Sequence, residues 1–341
     1  MFHRLAVGAL CALAPSLVAC SAGGALRSDD LQESWAAEPA ARLRPPATLV
    51  FDRRPTRQLY LCFGGEVYAC PESGAGDPER IWDSGRPVAA IAPVGGDQGM
   101  LVVEAATNSG GARERERVVW LKEGDEPRVL YEADDRLLGT PLRVGSREAW
   151  LATARPGGDE DAVLVNADMQ GRRPPQLRSA RLDAVYHIAR NPHTGVTHVS
   201  GARRTGRRVE AGVFAVADAG EEVELVDPLG WAPTWSSHGT LLATARGRRD
   251  TSAALLRYGP LRDCVIRVEE TGCDRVLERP VDGVVLAMCF DPADESLLFA
   301  AVGDPAEAEA DDLRTVRLVR VRIGRDRLQL SEIARVTRSG Y

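Results

Sequence analysis

The residues able to do chemistry are few and widely spaced. Four histidines fall in the body of the chain, His187, His193, His198 and His238, and three of them lie within twelve residues. Imidazole is the commonest metal ligand and titrates nearest neutral pH. Yet His187, His193 and His198 bracket Asn191-Pro192-His193-Thr194-Gly195, a turn sequence, so hairpin placement explains the cluster without a metal. A hairpin centred on His193 sets His187 opposite Val199 and apart from His198. Cys62, Cys70, Cys264, Cys273 and Cys289 lack the close Cys-x-x-Cys spacing that zinc requires. No nucleophile elbow, phosphate loop or His-Glu-x-x-His occurs. No catalytic residue, metal site or cofactor is therefore expected.

Another cysteine has a sharper context. Met1-Phe2-His3-Arg4 is a basic start, and residues 5–19 form an apolar stretch too short to span a bilayer. The pair reads as a secretory signal over residues 1–19. Leu17-Val18-Ala19-Cys20 resembles the bacterial lipobox. That resemblance implies diacylation of the Cys20 thiol and cleavage just before it. Each buried methylene contributes about 0.8 kcal/mol, so two or more acyl chains hold stably. Ser21, where an Asp would signal retention in Gram-negative lipoproteins, implies the outer rather than the inner membrane. The expected location is the bacterial cell envelope, with lipid as the one membrane attachment.

Residues 21–47 are small, polar and Pro-bearing, a composition that cannot bury a core, so residues 20–47 read as a lipidated end and disordered tether. Within it, Ser28-Asp29-Asp30 could cap a short helix over residues 26–37, with Leu31 and Trp35 on one face.

The elements that must position any site come from residues 48–341. Pro233-Thr234-Trp235-Ser236-Ser237-His238-Gly239-Thr240-Leu241-Leu242-Ala243 recurs in weaker form. Its copies are Cys289-Phe290-Asp291-Pro292 into Ser296-Leu297-Leu298-Phe299-Ala300, residues 91–103, residues 141–151 and residues 188–199. The copies stand about 45 to 55 residues apart, the length of one four-stranded blade. Each is followed by two further Val- and Leu-rich runs bounded by Gly, Asp and Pro, which read as strands. The fullest copy resembles the repeat of TolB-like, WD40-like propellers, with Ser237 and His238 in place of Pro-Asp at the turn. The resemblance implies an all-β, six-bladed β-propeller of four-stranded antiparallel blades at 48–87, 88–138, 139–183, 184–228, 229–283 and 284–338. Seven blades or an irregular sandwich are the alternatives. Unlike TolB, this sequence shows no mixed α/β domain before the repeats, so only the role of an envelope interaction platform carries over by analogy.

Two cysteine pairs are close enough to bridge, Cys62 with Cys70 and Cys264 with Cys273, and export permits disulfides. Register argues against the first. A turn at Gly64-Gly65 sets Cys62 opposite Val67 and Cys70 opposite Leu59.

A formal net charge of −6 argues against nucleic acid, which demands a basic footprint. Lys122 is the single lysine, so cationic charge is almost all arginine. In a propeller the loops between second and third strands share one face. Blade four brings Arg203, Arg204, Arg207 and Arg208 there, and blade five brings Arg246, Arg248 and Arg249. Blade three brings Asp159, Glu160 and Asp161, blade six Asp304, Glu307, Glu309, Asp311 and Asp312, and blade two the mixed run from Arg113 to Arg117. Solvated loops account for such runs. The sharper reading is a docking face, whose charges set orientation and association rate more than affinity.

The inner-strand polar candidates are Arg143, His187 and Thr234, with Asp52 and Asp291 at strand ends; they do not resemble the cation cage of lactonase-like propellers. The expected function is a monomeric, non-catalytic, lipid-anchored platform for an envelope protein. The alternatives are a hydrolase or lyase using the channel, and a carbohydrate or peptidoglycan binder. An aromatic fraction of 5% leaves few platforms for sugar stacking.

Overall fold

The innermost strand of the last blade, Val284–Asp291, is buried at all eight positions. Such a run cannot alternate, because it packs between two neighbouring sheets and lines the axis at once. Outer strands behave differently: Val223–Asp227 and Val276–Pro280 have no buried position and carry Glu224, Glu278 and Arg279 among their apolar residues. This gradient from mostly apolar inner strands to mixed outer ones, repeated along the chain, builds blades stacked around an axis.

In the computed structural model, described for residues 42–338 apart from 53–56, 83, 95–98, 107, 110–111, 114, 123, 134, 145–147, 156–160, 171, 207, 218–221 and 250–252, the chain forms six four-stranded antiparallel sheets. The protein is an all-β, six-bladed β-propeller. The inner strands are Ala47–Asp52, Val88–Pro93, Leu137–Val144, Ala184–Arg190, Gly230–Trp235 and Val284–Asp291. Each packs on the next, and the last packs on the first, so the ring is closed. Each blade is built from one continuous stretch of chain, so among the described residues no strand is shared across the closure. A two-stranded ribbon, Asn108–Ser109 with Ala112–Arg113, extends the second-to-third loop of blade two. Blade three opens at Leu137, two residues earlier than the repeat spacing suggests, because Leu137 and Leu138 already pair with Ala154 and Thr153.

The closing seam is apolar. Phe51 of blade one stacks on Phe299 of blade six, with ring centroids 4.9 Å apart. Leu49, Leu59 and Leu61 join Leu286, Ala301 and Leu318 in the same cluster.

The expected tether differs from the structure at its end. Residues 42–46 are packed rather than loose, and Leu43 is wholly buried among residues of blades three and four. An arginine-proline sequence with one leucine gives no periodic signal, so only the surface it meets reveals the packing. The inner strand of blade one accordingly begins at Ala47. Cys20, the signal segment and the helix expected over 26–37 lie outside the described residues.

Candidate functional site

Five of the six inner strands shift register against the second strand, between Val88 and Ala90, Leu138 and Pro141, Val185 and His187, Trp231 and Thr234, and Val285 and Ala287. A bulge leaves a residue out of the ladder and turns its peptide elsewhere. Side chains of other blades satisfy two of the freed carbonyls. Thr140 Oγ1 donates to the Tyr186 carbonyl, and His187 Nε2 lies 2.7 Å from the Leu286 carbonyl.

The second contact fixes the chemistry of His187. A carbonyl only accepts, so Nε2 carries the proton and Nδ1 is a bare acceptor. Ser200 Oγ, 2.8 Å away, donates to Nδ1 and accepts the His187 amide at 3.2 Å. Burial pushes the imidazole from 6.5 down to about 4, against the opposing pull of the Leu286 carbonyl. A serine hydrogen-bonded to a histidine has the composition of a nucleophile and its base. Here Ser200 is 0% exposed and its oxygen is engaged on both sides, so no substrate carbonyl reaches it. The edge of the His187 ring meets Trp231 at 5.9 Å, which closes the remaining side.

His187 faces Ser200, one residue beyond the expected Val199. The turn is even-numbered: Asn191 N donates to the Val196 carbonyl, and Asn191 Oδ1 accepts the amides of His193 and Thr194 at 2.8 and 2.9 Å. His198 instead accepts from Trp235 Nε1 at 3.3 Å, and burial lowers its pKa. His238 is 77% exposed, with Nδ1 3.1 Å from Glu295 Oε1. Glu295 gathers the His238 amide at 2.7 Å and Thr240 Oγ1 at 2.9 Å. Partial burial raises its pKa, but these hydrogen bonds outweigh that and hold the carboxyl below its ordinary value. Among the described residues, no three His, Cys, Asp or Glu groups gather to hold a metal ion.

The other inner-strand candidates are also engaged in structure. Arg143 donates to the Val94 carbonyl of blade two. Asp291 Oδ1 accepts the Ala293 amide at 2.9 Å, and Arg57 reaches its other oxygen at 3.5 Å. Thr234 pairs with Ala243 in the ladder, and the Asp52 side chain is outside the described residues.

On the face with the second-to-third loops, the arginines fall into three groups. Arg203 and Arg246 are held internally. Arg203 sits on Glu210 at 2.7 Å and over the Phe214 ring at 5.5 Å, while Arg246 makes a bidentate pair with Asp227 at 2.8 and 2.9 Å. Arg204 and Arg248 are exposed. Arg207 and the side chains of Arg208 and Arg249 are outside the described residues, as are Asp159 and Glu160.

The acidic run of blade six turns out to serve its own loop. Asp304 caps the short helix α1 (Pro305–Glu309), accepting the amides of Ala306 and Glu307. Glu307 accepts the amides of Arg314 and Thr315, both at 2.9 Å, and Asp312 pairs with Arg314. Asp311 accepts Tyr258 Oη at 2.6 Å together with Arg257, and Glu309 meets Arg262 at 3.3 Å. Loops of blades five and six thus neutralise each other. Glu116, read as part of an exposed mixed run in blade two, is buried against Arg44 and Leu138.

Neither candidate disulfide is formed. Cys62 stands opposite Val67 and Cys70 opposite Leu59, as the Gly64-Gly65 turn requires. Cys264 lies buried within the third strand of blade five, while Cys273 is exposed in the turn after that strand. Burial pushes the Cys62 and Cys70 thiols up to about 12 and Cys264 to about 11, and Cys289 is raised as well. Such thiols stay protonated and inert.

No protein-family profile matches the sequence, and no curated protein matches it. Among solved structures, prolyl oligopeptidase B from Galerina marginata, bound to a 25mer macrocyclization substrate, is similar over 91% of this chain and 53% of that one. The identity is 10% and the TM-score 0.46. The chain thus spans about half the length of that protein.

Proposed function

We infer that this propeller is a lipid-anchored platform of the bacterial cell envelope, of the TolB-like, WD40-like kind, binding a protein partner rather than turning over a substrate. One observation carries the reading. The interior Ser200–His187 pair has its donors and acceptors satisfied by the fold and is closed to solvent, which favours binding over catalysis. The Leu17-Val18-Ala19-Cys20 sequence supports the anchor, with Cys20 as the acylated residue and the outer membrane as the location. Among the described residues no helix is long and apolar enough to cross a membrane.

The partner-binding site falls on the face of Arg203, Arg204, Arg207, Arg208, Arg246, Arg248 and Arg249. Arg203 and Arg246 shape it, and the exposed Arg204 and Arg248 meet an acidic envelope protein. Exposed charges of this kind steer association and lose effect as salt rises. Two measurements test the reading. Cys20→Ala should move the protein from the membrane pellet to the soluble fraction, and a variant still in the pellet would overturn the anchor. Crosslinking in intact cells should lose its main adduct in Arg204→Glu/Arg248→Glu, and an unchanged adduct profile would remove the docking face.

A further inference from the structure

Residues 42–46 make more contacts than a linker needs. Leu43 is wholly buried in the cluster that holds Leu137, Trp150, Leu182 and Val185, at the junction of blades three and four. Gly139, on the inner strand of blade three, has no room for a side chain. A Cβ there would lie 2.6 Å from the Leu43 carbonyl oxygen and 2.9 Å from the Leu43 Cβ. Arg44 then reaches two blades at once. Its guanidinium pairs with Glu116 of blade two, and Nε donates to the Leu138 carbonyl of blade three at 3.3 Å. The second oxygen of Glu116 accepts the Leu138 amide at 2.6 Å. Glu116 is almost completely buried, so losing either partner leaves a polar group unsatisfied in the interior. Three residues later the chain enters the inner strand of blade one.

We propose that residues 42–46 are a clasp that keeps the ring shut, replacing a strand shared between first and last blades. Blade one is an end of the stack. Its contact with blade six is side-chain packing and the Arg57–Asp291 pair at 3.5 Å, without ladder hydrogen bonds across the seam among the described residues. An end held by side chains with no covalent continuity opens more readily than the middle of a stack. The clasp restricts that motion by tying the start of blade one to blades two, three and four. It also receives any pull on the chain before that pull reaches the seam strand.

Hydrogen exchange on the full chain separates this role from local packing. Gly139→Ala displaces the clasp without altering any residue of it. Exchange should then rise at least tenfold across the seam, in Ala47–Asp52, Val284–Asp291 and Asp294–Gly303, with Pro260–Glu270 of blade five unchanged. Faster exchange confined to residues 137–154 and 180–185, with the seam at its original rate, would overturn the proposal. So would no change anywhere. Should Gly139→Ala fail to fold, Glu116→Gln removes the charge that holds Arg44 at nearly constant shape, and the same two outcomes decide. The readout needs neither the lipid nor a partner, so it stands apart from the envelope assignment.

Discussion

His187 couples the interior to pH. Its neutral form donates to Leu286 and accepts from Ser200, whereas the unfolded chain leaves imidazole at its ordinary 6.5. The folded value of about 4 lies below that, so between the two the unfolded state binds more protons. Stability from this group is therefore complete above about pH 6.5 and is lost as pH falls towards 4 and below. The loss is on the order of 3 kcal/mol. Urea midpoints measured from pH 7.5 to 4 should fall in the native protein and vary less in His187→Gln. That variant should already be weaker at pH 7 by about 1–3 kcal/mol, having left Leu286 or Ser200 unpaired. Equal pH dependence in both proteins would contradict the assignment. The cysteines differ just as sharply from one another. Cys273 alone among the five described is exposed, so iodoacetamide on the native protein should modify it and spare Cys62, Cys70, Cys264 and Cys289, as peptide mapping will show.

Blade junctions combine a bulged inner strand with a clip farther out. At the junction of blades four and five, Arg246 forks onto Asp227, which also accepts the Leu229 amide at 3.1 Å. Nearby, the blade-five loop turns back at Gly259 with φ +74, and a Cβ there would fall 2.2 to 2.6 Å from atoms of the Trp231 ring. Trp231 is wholly buried and packs on Tyr186 and His187, so it has nowhere to move. Gly259→Ala combines a left-handed backbone with a clash and should cost at least about 2 kcal/mol. Thermal melts would show this as a lower midpoint. Gly272 shares the positive φ but has open space around it, so Gly272→Ala should lose only about 1 kcal/mol. Equal losses would mean that the Trp231 contact adds nothing.

The whole ring depends on a seam without ladder bonds. Phe299 is 0% exposed and stacks on Phe51, so Phe299→Ala removes a large apolar group at the place where the first and last blades meet. The expected cost is about 3–5 kcal/mol, a fall in Tm on the order of 10 °C. Phe214 is equally buried but lies within the chain, packed at the junction of blades three and four. Phe214→Ala should cost a similar amount without speeding proteolysis of blade one. Faster cleavage there only in the Phe299 variant would identify the seam as the opening point. Charge at this scale differs from its appearance in sequence. The acidic loop of blade six and the arginines of blade five are joined through Asp311 with Arg257 and Glu309 with Arg262, so the outward field is weaker than the residue types suggest.

The sequence by itself determined the repeat period, because an apolar inner strand followed by turn residues must recur wherever a sheet packs on both faces, while the closed ring decided six blades over the seven left open. The sequence also determined the Gly64-Gly65 hairpin, where two glycines at positive φ allow one tight register and hold Cys62 away from Cys70. Tertiary structure alone decided the rest. The even-numbered turn after Arg190 moved His187 onto Ser200, and the ring brought a carbonyl 99 residues away to its other nitrogen. Glu116 and residues 42–46 look solvated in one dimension, since nothing local distinguishes an arginine that will meet a buried carboxylate from one that faces water. Periodicity records which side of a strand is dry, whereas partners supplied by other blades exist only once the ring has closed.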